Sequence, residues 1–220
     1  MPTKEMAWPK QPSDRQWIKP EGDDPRTLYQ MLMVSQERFG GEPCIGYIPG
    51  PGMQRIHLTY NEFGDLTTAV AKGLRDIGVV TADRVAIIVD NSVEWAALSY
   101  GANALGAAYT AMYTHQHGKD WAFILNDATP KVVAVQSTMV LDKLCDALDD
   151  DAWPEAGVIL LGDDPANQLP PEGVTVRSWT ELVQEGRAGD DLADIADDPS
   201  ALSTLIYTSG TVSYTHLTLP

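Results

Sequence analysis

Short apolar runs alternate with segments of helical periodicity along most of this chain. The runs at residues 85–89, 131–135 and 157–161 are almost continuously apolar, which is typical of strands that are buried on both faces. Between them lie segments whose apolar residues recur with helical spacing, such as residues 137–148. Because parallel neighbours need crossover helices, the alternation predicts an α/β fold: a mainly parallel, twisted sheet with helices on both faces.

Three of the predicted helices begin with a capping box, in which a hydroxyl residue is followed three positions later by Glu or Gln. The pairs are Thr27 with Gln30, Thr59 with Glu62, and Ser178 with Glu181. The ordered part of the chain is therefore predicted to begin near Thr27. Residues 1–26 are rich in Pro, Asp and Lys and predict an irregular arm.

The weaker strands are predicted from short patterns only. Apolar segments at residues 44–48 and 56–58 flank Pro-Gly-Pro-Gly and predict a hairpin. A short strand is predicted at residues 174–176. After an acidic linker, a last strand is predicted at residues 204–207.

The charge balance disfavours nucleic acid as a partner. The 220 residues include 31 acidic and 15 basic side chains, which gives a formal net charge of −16. Such a surface repels phosphate backbones. Hydrophobic residues make up 44% of the chain, enough for a globular protein with a substantial core.

Neither a secretory signal nor a membrane span is predicted. The amino-terminal residues lack the apolar core of a signal peptide, which favours a cytoplasmic location. Residues 95–114 are uncharged and about as long as a membrane span. However, Gly101, Gly106 and several polar residues interrupt this stretch, and its second half is typical of a strand. Peripheral contact with a membrane is left open.

The last predicted strand leads into Thr208-Ser209-Gly210-Thr211. Hydroxyl side chains and glycine backbone amides that follow an apolar strand can surround a polyphosphate without steric conflict. Small polar residues also form ordinary turns. The tetrapeptide alone therefore leaves open a phosphate-binding loop and a plain connection.

The final nine residues do not continue this pattern. Residues 212–220 can be encoded as GTC TCT TAT ACA CAT CTG ACG CTG CCG, which reproduces a transposase sequencing adapter of a widely used library kit. We therefore expect residues 212–220 to be a non-native tail, which has no part in the fold. The expected organisation is an arm at residues 1–26, a domain at residues 27–211, and this tail.

Several segments together resemble the AMP-forming acyl-CoA synthetases, which are adenylate-forming enzymes. Tyr207-Thr208-Ser209-Gly210-Thr211 looks like the start of that family's phosphate loop, whose pattern continues as Thr-Gly-x-Pro-Lys-Gly. Further similar segments lie upstream in the family's order, at residues 58–62, 85–91, 94–95, 106–108 and 124–127. Residues 112–113 and 117–121 are most similar to the long-chain fatty acid–CoA ligase branch. The resemblance covers residues 27–211 and implies the amino-terminal part of an AMP-binding (adenylation) domain.

The resemblance implies the substrates and the binding residues. Thr208, Ser209, Gly210 and Thr211 would contact the β- and γ-phosphates of ATP, and Mg²⁺ would neutralise those phosphates. A fatty acid carboxylate would attack the α-phosphate to give an acyl-adenylate and pyrophosphate. The thiol of coenzyme A would then displace AMP.

The family's catalytic groups lie beyond the residues matched here. They include the lysine of the phosphate loop, the glutamate segment associated with magnesium, the aspartate that holds the ribose, and the carboxy-terminal domain with its catalytic lysine. No catalytic residue is therefore assigned within the 220 residues, and the chain by itself is expected to be inactive.

Motifs of other enzyme classes are absent from the sequence. It contains no Gly-x-Ser-x-Gly elbow, no Walker loop and no Gly-x-Gly-x-x-Gly after a strand. No metal site is predicted, because His115 and His117 have no further candidate ligands nearby and the two cysteines are far apart. Two alternatives remain: a non-catalytic short α/β unit that binds an acyl group or a protein, and part of another carboxylate-activating enzyme, such as an acyl-carrier-protein ligase or an aryl-acid ligase.

Overall fold

Strands and helices alternate through the part of the chain that the structure describes. The structure is a computed structural model, and it describes residues 25–48, 52–162, 167–193 and 195–208. In chain order the elements are α1 (Leu28–Phe39), β1 (Pro43–Tyr47), β2 (Ile56–Thr59), α2 (Tyr60–Asp76), β3 (Arg84–Ile88), α3 (Val93–Ala104), β4 (Ala108–Met112), α4 (Gly118–Ala128), β5 (Val132–Val135), α5 (Thr138–Cys145), β6 (Val158–Leu160), β7 (Val176–Ser178), α6 (Trp179–Ala188) and β8 (Thr204–Leu205).

The last six of these strands form one parallel sheet, while β1 and β2 form a separate antiparallel hairpin. The order in the sheet is β7-β6-β5-β3-β4-β8. All of its neighbouring pairs are parallel. The predicted α/β class and the predicted hairpin are both confirmed.

Alternate residues of β3 point to opposite faces of the sheet, which explains why its sequence is apolar throughout. Val85 and Ile87 pack into the core that the sheet forms with α1, α2, α3 and α6. Ala86 and Ile88 pack into the core formed with α4 and α5. All four side chains are fully buried. The helices therefore cover both faces, as the sequence predicted.

All three predicted capping boxes form. In each, the hydroxyl accepts a hydrogen bond from the backbone N–H three residues on, and the Glu or Gln side chain accepts one from the backbone N–H of the capping residue. These contacts satisfy backbone donors that the first helical turn leaves without partners. They fix the starts of α1, α2 and α6 at the predicted positions.

Two strands, β7 and β8, differ by two residues from their predicted bounds. β7 lies two residues later than predicted, because the Val174 N–H donates to the Pro171 carbonyl in a turn (3.1 Å) and pairing with β6 begins at Val176. β8 ends at Leu205 rather than at residue 207. Its described pairing involves β4 alone and covers only two positions, so the ladder does not extend further.

The uncharged stretch at residues 95–114 is divided between α3 and β4. Of the helices in the described ranges, none is both long and apolar enough to cross a membrane.

Candidate functional site

The strand β8 runs parallel to β4, so it points towards the carboxyl edge of the sheet, where parallel α/β sheets bind their ligands. Thr208, the first of the predicted phosphate-binding residues, is exposed and lies three residues after the end of β8. Ser209, Gly210 and Thr211 lie outside the described residues, as do residues 1–24 and 212–220. The phosphate-binding role of these four residues therefore stays a prediction.

A buried amide side chain holds the start of β8. Asn103, at the end of α3, is only 8% exposed. Its Nδ2 donates to the Ser203 carbonyl (3.0 Å) and to the Ala107 carbonyl (3.1 Å), and its Oδ1 accepts from the Ser203 hydroxyl (2.8 Å). The backbone N–H of Tyr109 also donates to the Ser203 carbonyl (3.1 Å). Sequence reasoning missed Asn103, because its partner lies 100 positions away.

A phenol holds the chain just beyond β8. The Tyr207 hydroxyl donates to Oδ2 of Asp127, near the end of α4, at 2.6 Å. Burial raises the pKa of Tyr207, and the hydrogen bond to Asp127 and the charge of that carboxylate raise it further, to about 12, although the Arg84 cation opposes the shift. Burial, the hydrogen bond to Asp127 and the charge of Asp127 all disfavour the phenolate. At neutral pH the phenol is therefore a hydrogen-bond donor to Asp127.

This contact predicts a loss of stability at high pH. The pKa of Tyr207 is raised from 10.0 to about 12 on folding. The contribution is therefore complete below pH 10 and is lost as the pH rises towards 12. Thermal unfolding at intervals from pH 8 to pH 12 should show a steeper decline in Tm for the wild type than for Tyr207→Phe. Parallel curves for the two proteins would contradict the assignment.

The loop between β4 and α4, at the carboxyl edge of the sheet, is held by several hydrogen bonds. Tyr113 and Gln116 bond to each other, with the Tyr113 N–H donating to Gln116 Oε1 (3.0 Å) and the Gln116 N–H donating to the Tyr113 carbonyl (3.2 Å). The Lys143 ammonium donates to the Gln116 carbonyl and lies 4.5 Å from the centre of the Trp121 ring. The indole N–H of Trp121 donates to the Tyr113 carbonyl (3.1 Å).

Hydrogen bonds also connect the ends of β3, β4 and β5. Thr114 donates to Asp90 Oδ1 (2.7 Å), and the Asp90 N–H donates to Gln136 Oε1 (2.7 Å). The carboxyl edge of β3, β4 and β5, which we call the rim, therefore carries several polar contacts. His115 and His117 are exposed on this rim. Within the described residues, no group of three or more His, Cys, Asp or Glu side chains is placed to hold a metal ion.

Two cavities lie at the amino edge of the sheet, where its strands begin. One, of about 160 Å³, is next to the starts of β4 and β8 and is lined in part by Ala107, Asn103 and Ser203. The other, of about 390 Å³, is next to the starts of β5 and β6 and is lined in part by Lys131 and Glu155. Neither touches Thr208.

The chain resembles curated fatty acid–CoA ligases. It is 27% identical to the long-chain-fatty-acid–CoA ligase ACSBG1 of Rattus norvegicus over 189 residues, which are 85% of this chain and 26% of that protein. It is 29% identical to the long-chain-fatty-acid–CoA ligase FadD13 of Mycobacterium tuberculosis over 165 residues, which are 72% of this chain and 28% of that protein. The chain thus spans about a quarter of the length of these relatives.

Solved structures share its fold. A fatty acyl CoA synthetase from Mycobacterium tuberculosis superposes with a TM-score of 0.59 at 26% identity, over 84% of this chain and 33% of that chain. The adenylation domain of a carboxylate reductase from Mycobacterium chelonae superposes with a TM-score of 0.69, also over 84% of this chain and 33% of that chain. At 20% identity, this second likeness shows the fold alone.

The family match covers most of the chain. Residues 34–213 match the family described as AMP-binding enzyme. This range includes the whole parallel sheet and extends across the predicted phosphate loop at residues 208–211. The chain therefore belongs to the AMP-binding enzyme family.

Proposed function

We propose that this chain is the amino-terminal part of an ATP-dependent acyl-CoA synthetase that activates a long-chain fatty acid as its adenylate and transfers the acyl group to coenzyme A. Family membership supports adenylate-forming chemistry, and the names of the curated relatives favour a long-chain fatty acid as the substrate. Because the chain spans about a quarter of those relatives, the complete reaction is assigned to a longer protein.

The observation that carries the proposal is the position of Thr208. It follows β8, a strand of the parallel sheet, and it begins the small-residue segment that the family resemblance assigns to the ATP phosphates. A threonine hydroxyl donates a hydrogen bond to a phosphate oxygen, and the glycine in this segment would let backbone N–H groups approach the phosphates. This loop would therefore orient ATP while the fatty acid carboxylate attacks the α-phosphate.

The chemistry needs groups beyond those described here. Mg²⁺ supplies charge neutralisation to phosphates when it is bound, but the described residues offer no cluster of ligands for it. No step is therefore assigned to the metal. Pyrophosphate would leave when the fatty acid carboxylate forms the acyl-adenylate. AMP would leave when the coenzyme A thiol attacks that adenylate.

The proposal is tested by comparing this chain with a longer protein. The natural reading frame is followed past Thr211, the extended protein is expressed, and acid-dependent exchange of pyrophosphate into ATP is measured with fatty acids of several lengths and with aryl acids. We expect exchange from the extended protein with long-chain acids and none above background from the 220-residue chain. Exchange by the 220-residue chain itself would contradict the expected inactivity.

A variant of the extended protein tests the loop directly. Thr208→Ala removes one hydrogen bond to a charged phosphate, so kcat/KM for ATP should fall by about 10- to 100-fold, which corresponds to the loss of about 1.5–3 kcal/mol. Thr180→Ala, at an exposed position of α6, is the matched control and should keep wild-type exchange. A reading frame that ends at residue 220, with no exchange under any condition, would instead favour the non-catalytic alternative. Exchange with aryl acids only would favour the aryl-acid ligase.

A further inference from the structure

We propose that Asn103 and Asp127 are positioning residues for the ATP phosphate loop, because they hold the chain on either side of β8 and so fix where Thr208 leaves the sheet. This inference rests on the proposed function, in which residues 208–211 bind the phosphates of ATP. Neither side chain lies in that loop. Each acts through β8, the strand that leads to the loop.

The strand β8 is too short to fix its own position. It pairs with β4 at only two positions, Tyr109 with Thr204 and Thr110 with Leu205. A typical backbone hydrogen bond contributes only modestly to stability in net terms, and edge segments with few contacts open more readily than the core. Ile206, between β8 and Tyr207, is 73% exposed. Contacts outside the ladder are therefore needed to hold the chain that leads to Thr208.

Asn103 supplies such a contact before β8. It both donates to the Ser203 carbonyl and accepts from the Ser203 hydroxyl, so one side chain pairs with two polar groups of the same residue. A carbonyl can only accept, which fixes the orientation of the Asn103 amide. Because Asn103 is only 8% exposed, water does not easily replace these hydrogen bonds. Ser203 is thereby locked against the end of α3.

Asp127 supplies the contact after β8, on the other face of the sheet. It accepts from the Tyr207 hydroxyl at 2.6 Å, and Tyr207 is the residue directly before Thr208. The end of α4 is itself fixed, since the Arg84 guanidinium donates to the Ala128 carbonyl (2.7 Å) and to the Thr129 carbonyl (2.9 Å). Asp127 therefore offers Tyr207 an anchored acceptor.

The two contacts act from opposite faces of the sheet. Asn103 lies on α3, which packs on the face with α1, α2 and α6, whereas Asp127 lies on α4, on the face with α5. A strand held from both faces cannot tilt towards either one without breaking a hydrogen bond. Positioning before the ligand arrives reduces the ordering cost of binding. ATP binding to the loop therefore does not carry the additional cost of ordering β8.

The first test measures local opening in the 220-residue chain by hydrogen exchange. We expect Asn103→Ala and Asp127→Ala each to accelerate amide exchange in the peptide 203–208, by about tenfold for an opening made easier by one or two hydrogen bonds. Asp127→Asn keeps an acceptor and should restore most of the protection. Ser99→Ala, which removes a hydrogen bond between a buried Ser99 side chain and the Trp95 carbonyl in the same helix, is the matched control and should leave the peptide 203–208 within about twofold of wild type.

The pattern of exchange separates positioning from general stability. Unchanged exchange at residues 203–208 in both alanine variants would overturn the inference. Exchange that rises equally in all core elements would also overturn it, because the two side chains would then act on the stability of the whole chain. Acceleration confined to residues 203–208 supports it.

The second test uses the extended protein and pyrophosphate exchange. Asn103→Ala and Asp127→Ala should lower kcat/KM for ATP by about tenfold while the KM for the fatty acid stays within about twofold, and Asp127→Asn should recover much of the activity. An active wild type with unchanged kinetics in both alanine variants would overturn the link to the phosphate loop. An inactive wild type would count against the proposed function alone, because the hydrogen-exchange result would still decide whether the two residues hold β8.

Discussion

Replacing Trp121 with alanine is expected to lower the free energy of unfolding by about 3–5 kcal/mol, the range for buried Trp→Ala and Phe→Ala changes in protein cores. Trp121 is fully buried and is among the largest of the fully buried side chains. It lies in the core between the sheet, α4 and α5. Because domains of ordinary stability unfold with about 5–15 kcal/mol, this single change removes a large part of the total.

Two polar contacts add to the cost of this substitution. The indole N–H donates to the Tyr113 carbonyl, and the Lys143 ammonium lies over the indole ring. Without the indole, the Tyr113 carbonyl loses its hydrogen bond with Trp121, and Lys143 loses the attraction of the aromatic face. The loop between β4 and α4, at the edge of the candidate site, therefore loosens together with the core.

Urea denaturation monitored by far-ultraviolet circular dichroism measures the change. Phe123→Ala, two residues away on the same helix, is the matched control, because Phe123 is 53% exposed and should cost no more than about 0.5 kcal/mol. Trp121→Phe should fall between the two, since it keeps most of the buried apolar surface but loses the N–H donor. Equal midpoints for the two alanine variants would show that Trp121 does not support the core.

The parts of the fold that sequence predicted well are those with local causes. A capping box needs only residues three positions apart, and all three form. The apolar run at residues 85–89 predicted a strand buried on both faces, and β3 lies in the interior of the sheet. Secondary structure of this kind follows from periodicity and from hydrogen bonds within a few residues.

The features that sequence did not predict depend on distant partners. β8 ends early because its pairing with β4 covers only two positions. The contact of Asn103 with Ser203 spans 100 positions, and that of Tyr207 with Asp127 spans 80. No local pattern distinguishes these side chains from other polar residues. The phosphate-binding role of residues 208–211 stays a prediction, and their composition could not indicate which side chains hold the strand before them.

A second large effect is expected where α6 crosses α2. Replacing Gly186 with alanine should lower the free energy of unfolding by about 2–3 kcal/mol, at the upper end of the usual cost of overpacking. A Cβ at this position would overlap the Ala69 carbonyl oxygen and would lie 2.8 Å from the Gly73 backbone nitrogen. These are backbone atoms of α2, so no side-chain rotation can relieve the overlap.

The crossing depends on close approach from both helices, which makes the contact sensitive to one added methyl group. Gly73 of α2 faces Leu182 of α6, and a Cβ at Gly73 would lie 2.5 Å from the Leu182 carbonyl oxygen. To accept alanine at 186, α6 must move away from α2. That movement would open the core in which Leu182 is fully buried.

Gly41→Ala is the matched control for Gly186→Ala, because a Cβ at Gly41 meets no atom within 4 Å. Thermal unfolding should show Gly186→Ala melting roughly 5–10 °C below the wild type, and Gly41→Ala melting within about 2 °C of it. The helix propensity of alanine, which favours it over glycine by about 1 kcal/mol inside a helix, acts against the expected loss at Gly186. A lower Tm for Gly186→Ala would therefore mean that the steric cost at the crossing exceeds that gain, whereas an unchanged or raised Tm would mean that α2 and α6 separate at little cost.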